Sequence, residues 1–366
     1  MYGRELKRFM SRRFWASLSG LVLVLSGCSL GAVSSEMETI AEQTESASAP
    51  AADNAGEGPR QLRGMGTVPD LGDPVPVAQA PAPQLPVTVK DADNKDVTIT
   101  DTSRIVTLDL SGSISRTVIG LGLENTIVGR SASDTASGLA GVPVVTREGH
   151  AVNSEAILAQ SPSLVMTDGS LRGSEGELAT LRASGITVLK VKHAHSFDGA
   201  PDRVREVATA LGVPDVGETL AAQTAQSIRD AKEQIAQWTP AEPMNGMFLN
   251  IRAQAGVFSI LGSSSGATDL IEALGMKDMA AANEITQAVP ASQEALLAAD
   301  PEVIFVMVKG LESFGGLEAL LAQPGLAETT AGKHQRIIQI PDNQSLSFGP
   351  QAGEMLLETA KVVYGK

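Results

Sequence analysis

The chain has one cysteine among 366 residues, so an intramolecular disulfide is excluded. Aromatic residues make up only 3 % of it, and so few stacking faces count against flat catecholate ligands. Positive charge is also scarce, with 28 Lys and Arg against 42 Asp and Glu and a formal net charge of −14. The first 27 residues hold five basic side chains and one Glu, a contribution of +4, which leaves the remainder near −18. So acidic a surface repels phosphate backbones and anionic headgroups, which argues against nucleic acid or peripheral lipid as partners. Long apolar runs are missing too. Phe14 to Leu25 is the longest, and it is too short to span a bilayer.

That run has a clear reading of its own. Arg4, Lys7, Arg8, Arg12 and Arg13 precede it, and Leu25-Ser26-Gly27-Cys28 follows, so residues 1–28 read as a secretory signal closing on a motif that resembles a bacterial lipobox. The single cysteine falls at the position that is lipidated in such motifs. Cys28 is therefore the expected anchor, on the outer face of a bacterial cell membrane. From residue 29 to 86 no hydrophobic period is sustained, and prolines gather between Pro69 and Pro86. Such a segment buries too little apolar surface to offset its ordering entropy, which predicts a disordered tether.

Beyond it, strand and helix patterns alternate, which predicts an α/β fold. Val87–Thr100 reads as a hairpin around an Asp/Asn turn, Arg104–Asp109 as a buried strand, and Leu164–Thr167 as another. Residues 200–240 are mostly helical, with a break at Gly212-Val-Pro214 and a long run from Thr219 to Gln237. The segment Ser154–Met166 is echoed by Ser292–Ile304: a helix, a proline, then an apolar strand. Two similar Rossmann-like lobes, 87–199 and 241–366, joined by one long helix, summarise the pattern. A ligand site is expected between them.

Arg147–Met166 is the stretch around which candidate chemistry gathers. His150 lies on a loop before a helix capped by Asn153, beside the strand Leu164–Thr167. His193 and His195 would share a side of an extended segment, a spacing that can hold a metal. Gly262-Ser263-Ser264-Ser265-Gly266 matches the nucleophile-elbow pattern between a strand and a helix, with Asp300 and His334 following in hydrolase order. A serine hydrolase acting through Ser264 is thus the enzyme-class alternative. Ser111-Gly112-Ser113 opens a helix and offers N–H groups to a carboxylate.

Taken together, Arg104-Ile-Val-Thr-Leu108, Gly149-His150, Phe248-Leu-Asn-Ile-Arg252, Val306-Met307 through Gly316 and Leu346-Ser-Phe348-Gly349-Pro350 resemble the haem-binding lipoproteins of bacterial ABC importers. Their cluster also serves siderophores and cobalamin. The resemblance implies the class III periplasmic-binding-protein fold and a monomeric carrier, not an enzyme, that hands haem to an ABC permease dimer. Siderophore or cobalamin carriage is the alternative within the cluster. It also implies His150 as an axial ligand of the haem iron, Arg252 as a carboxylate partner and Met307 as a contact to the porphyrin face. The second axial ligand of the family is a tyrosine, and Asn250 stands there instead. His193 and His195 are then the candidate substitute ligands. Glu175 or Glu177 on the first lobe, and Glu318 or Glu312 on the second, are the expected permease-docking carboxylates.

Overall fold

The computed structural model describes residues 58–366, apart from 148–149, 172 and 254–255. The signal segment and Cys28 lie outside the described residues. The first lobe is built on a parallel sheet of four strands in the spatial order Ile127–Arg130, Ile105–Leu108, Leu164–Thr167, Thr187–Lys190. Its two central strands are buried along their whole length, as expected when helices cover both faces of a parallel sheet. The hairpin Val87–Lys90 with Asp96–Ile99 packs beside it, its turn organised by Asp91, whose carboxylate accepts the Asp93 and Lys95 amides. The second lobe has a mixed sheet. Strands Gly66–Thr67, Ile337–Ile340, Val303–Met307 and Asn245–Arg252 run parallel, and Val257–Ile260 returns antiparallel to the last of them.

The helical crossover is two helices, Ala200–Ala210 and Pro214–Ala236. Gly212, in the left-handed region, ends the first, and Pro214 opens the second, where its missing N–H has no intrahelical partner to lose. The longer helix buries Leu220, Thr224, Ile228, Ala231 and Ile235, a stripe spaced by three and four. The terminal helix Ala352–Tyr364 packs on it. A Cβ on Gly353 would lie 2.3 Å from the Ser227 carbonyl carbon, so only glycine permits that approach. The echoed segments are built alike: Asn153 caps Ala156 ahead of the strand Leu164–Thr167, and Ser292 caps Ala295 ahead of Val303–Met307.

Residues 58–86 correct the tether expected over 29–86. They form a strap laid across both lobes. Arg60 binds Glu302 at 2.7 Å and the carbonyls of Glu242 and Pro243, next to the first residues of the central strands of the second lobe. Gly66 and Thr67 add a parallel edge strand against Ile338 and Gln339, and Val68 is buried in the second-lobe core. Asp73 then reaches the first lobe, accepting from the Ser137 amide and hydroxyl and the Gly138 amide. Val77, Ala80 and Gln84 donate onward to Gly120, Gly122 and Gly212. The segment is ordered despite its low hydrophobicity because its backbone pairs with surfaces the lobes provide, which local composition does not show.

Gly122 is the tightest point of the strap. At φ +79 its Cβ would sit 2.0 Å from the Ala78 carbonyl oxygen. Gly122→Ala is expected to cost more than about 1 kcal/mol and to open the strap to limited proteolysis between Asp73 and Gln84. An unchanged digestion pattern and melting temperature would show the strap to be incidental.

Candidate functional site

Open α/β sheets bind their ligands beyond the carboxyl ends of their parallel strands, so the crevice is sought there. On the first lobe the strand Ile105–Leu108 leads into Asp109, and Leu164–Thr167 leads into Asp168. On the second, Asn245–Arg252 ends on Arg252 and Val303–Met307 ends on Met307. The lobes touch at Gly349, where an added Cβ would be 3.6 Å from the Ser113 Cα, an ordinary van der Waals contact. Arg116 of the first lobe donates at 2.7 Å to both the Gln351 side chain of the second and the Gly72 carbonyl of the strap.

His150 is at the tip between the two-residue strands Thr146–Arg147 and Ala151–Val152, with φ +63. That left-handed conformation is uncommon for a residue with a Cβ, and it is retained more often at ligand sites than elsewhere. The ring is half-buried, and its Nδ1 is enclosed without a hydrogen-bond partner. Burial first, and then the charges of Arg252 and Lys309, hold its pKa below the ordinary 6.5. Two cations of the second lobe, Arg252 and Lys309, are thus among the charges that act on this first-lobe ring. At neutral pH it is an uncharged imidazole with a free lone pair.

Asn250 and Arg252 lie on the same side of their strand, and Asn250 is paired in register with Ser259, whose hydroxyl is enclosed and unpartnered. No carboxylate among the described residues forms an ion pair with Arg252 or Lys309. The backbone amide of Lys309 is fixed on Asp342 at 2.9 Å. Met307 is partly exposed at the end of its strand and packs against the second-lobe core.

Several other expectations fare differently. The Ser113 hydroxyl donates to Asp109 at 2.9 Å, and the amides of Gly112 and Ile114 donate to the same carboxylate. The helix start that was expected to serve a ligand is therefore occupied by an internal acid, whose pKa is pushed up to about 6 by burial and by Asp168 and Asp134. Ser111 is half-buried. His193 and His195 stand edge to face, with ring centroids 4.3 Å apart, and line a different hollow from the groups around His150. The carboxylate that sequence spacing did not provide for them is Asp168, distant in the chain and 2.6 Å from His193 Nδ1.

The hydrolase set is not assembled. Asp300 directs both its oxygens to Thr330, while His334 lies beside Arg63, Lys333 and Glu302, near where the strap begins. Neither is a hydrogen-bond partner of Ser264, whose backbone amide is held on Thr286. Of the acidic candidates, Glu175, Glu312 and Glu318 are exposed, whereas Glu177 accepts from the Ser154 amide and so caps a helix.

The model of the periplasmic binding protein family matches residues 105–344. The chain belongs to that family. Among solved structures, the heme binding protein HmuT superposes with a TM-score of 0.82 at 42 % identity, covering 85 % of this chain and all of that one. The periplasmic heme-binding protein RhuT of Roseiflexus sp. RS-1 follows at 0.65 and 32 %, covering 72 % of this chain and 99 % of its own. Among curated relatives, the ABC transporter substrate-binding lipoprotein YvrC of Bacillus subtilis, described as uncharacterized, is 26 % identical over 281 residues, 76 % of this chain and 86 % of that protein. A cobalamin-binding protein of Halobacterium salinarum is 27 % identical over 288 residues, 76 % of this chain and 74 % of its own. The two lobes with their helical crossover are thus the fold of this family.

Proposed function

We propose that the protein is an extracytoplasmic, lipid-anchored carrier that captures haem between its lobes and passes it to a membrane permease. One observation supports the reading: the first lobe carries a partly enclosed imidazole with an unpartnered Nδ1, its pKa held down by burial and by the charges of Arg252 and Lys309 of the second lobe. That arrangement suits a flat metal macrocycle bearing carboxylates. His150 ligates the iron, and Arg252 and Lys309 neutralise the carboxylates. Met307 contributes a polarizable surface to the ring face. Cobalamin, named for the Halobacterium relative, carries amides where haem carries carboxylates, so the two cations favour haem. The relative HmuT has been solved with one histidine, one tyrosine and one arginine replaced, the tyrosine two places before the arginine. Asn250 precedes Arg252 by the same interval, so Asn250 takes the place of that tyrosine and His150 is the principal ligand. Cys28 holds the carrier at the membrane, and Glu175 and Glu318 are its docking carboxylates.

The test is a titration of the full chain with haemin, read in the visible spectrum as a function of pH. A Soret band shifted from that of free haemin is expected at the first equivalent. Because the folded pKa of His150 is depressed, protons compete with iron for the ring only below 6.5. Affinity should hold level from pH 8 to 6.5 and fall below that. The sign for the free protein is the same: below 6.5 the unfolded chain takes up the proton more readily, so stability declines as pH falls. A spectrum identical to free haemin at every pH would end the haem reading.

A further inference from the structure

We infer that residues 58–86 are a second hinge strand between the lobes: with the helix Pro214–Ala236 they confine lobe movement to one axis and hold the crevice closed on its cargo. The restraint follows from the fold alone, and its effect on cargo rests on the haem reading above.

The chain passes between the lobes twice, and each passage is rooted in both cores. The long helix buries Leu220 and Ala221 in the first-lobe core and Ile228, Ala231 and Ile235 in that of the second. The strap does the same in extended form. Val68 is buried in the second-lobe core with Leu71 packed against it, while Val77 and Leu85 pack on the core of the first. Two folded units in one chain move relative to each other by default unless a large apolar interface prevents it. One connection leaves both bending and twisting open. Two connections leave only rotation about the line that joins them.

The hydrogen bonds place the two passages side by side. Thr224, midway along the helix, donates to the Pro350 carbonyl at 3.3 Å. The next residue, Gln351, accepts from Arg116, which also holds the Gly72 carbonyl of the strap. Gly72 has φ +68 and nothing within 4 Å of an added Cβ, so the backbone can turn there without striking a neighbour, as a hinge residue must.

The chain on either side of Gly72 is fastened to a different lobe. On the second-lobe side, the Gln344 amide donates to Asp70 at 2.7 Å and its oxygen accepts the Leu71 amide at 3.2 Å. On the first-lobe side, Asp73 takes the Ser137 amide and hydroxyl and the Gly138 amide. Burial pushes the Asp73 carboxyl up, but those bonds more than offset it and leave its pKa below the ordinary carboxylate value. The fastening is therefore ionised at neutral pH, and its bonds are of the stronger, charge-assisted kind. Farther on, Gln84 donates at 2.8 Å to Gly212, in the turn from which the long helix starts. The far end of the strap is thus tied to the other hinge element.

The experiment inserts a specific protease site after Gly72 in the full chain and cuts it. A second chain carries the same site before Gly58, where the cut leaves the strap whole. Nitroxide labels at Arg182→Cys and Glu294→Cys, both exposed and one on each lobe, report the inter-lobe distance by pulsed electron resonance in a Cys28→Ser background. The strap cut should widen the distance distribution, and the control cut should not. A covalent link is commonly worth about 100-fold or more in avidity; the severed halves here stay on their lobes, so haemin loss to apomyoglobin should quicken by a smaller factor, about 10-fold. Asp73→Ala unfastens the first-lobe side without breaking the chain. It should move both readouts the same way, and it carries the test if the cut protein unfolds. A distribution that neither change widens overturns the inference, whatever haemin does. A widened distribution with unchanged haemin loss removes the hold on cargo and overturns the proposal as stated. If no form binds haemin, the haem reading fails, and the distance distribution alone decides for or against the second hinge.

Discussion

His150→Ala is expected to weaken haemin binding by at least about 100-fold, or roughly 2.7 kcal/mol, and to abolish the Soret shift. The magnitude follows from comparison. Losing a group that merely orients a metal ligand costs about 10–100-fold, and here the ligand itself is removed. No neighbour stands ready to replace it: Asn250 offers an amide where HmuT variants name a tyrosine, and His193 and His195 line another hollow. The fold should not suffer. The ring has an unpartnered, enclosed Nδ1 and a left-handed backbone, so it contributes little to stability. The check is a titration beside a thermal melt: lost binding with an intact melt supports ligation. Retained binding in the variant would remove His150 from the site and with it the crevice assignment.

Arg116→Ala should produce the largest stability loss of any single change near the crevice, about 3–5 kcal/mol as two charge-assisted hydrogen bonds go. Its guanidinium donates at 2.7 Å to the strap at Gly72 and to Gln351, just before the terminal helix. It therefore ties first lobe, second lobe and strap at one point. Burial pulls its pKa down, and the nearby charges of Asp134 and Asp73 oppose that. Removal also takes away a cation whose charge favours the ionised form of the enclosed Asp134 carboxylate. The expected result is a melting transition several degrees lower, with strap residues exchanging amide protons faster than in wild type. A loss under about 1 kcal/mol would mean that the lobes are held by packing alone.

Much of the frame was legible in the sequence because it follows from local patterns. The strand Leu164–Thr167 lies where its apolar run and flanking turn residues place it, and Asn153 caps the helix before it. The long helix begins at Pro214, inside the break expected before it, since a proline at the first helical position costs no hydrogen bond. His150 was legible as a loop residue beside a strand.

What the sequence by itself determined is the set of elements, the lobe repeat and the residues able to ligate or neutralise, because period, capping and turn chemistry act over a few residues. Tertiary structure alone decided which of them meet. It enclosed His150 Nδ1 without a partner, put Asp168 behind His193, turned Ser113 and two amides onto Asp109, and gave Asp300 to Thr330 and not to Ser264. It also made residues 58–86 a strap. Each depends on groups far apart in the chain, brought together by sheet order and lobe packing, and no local propensity records such distances.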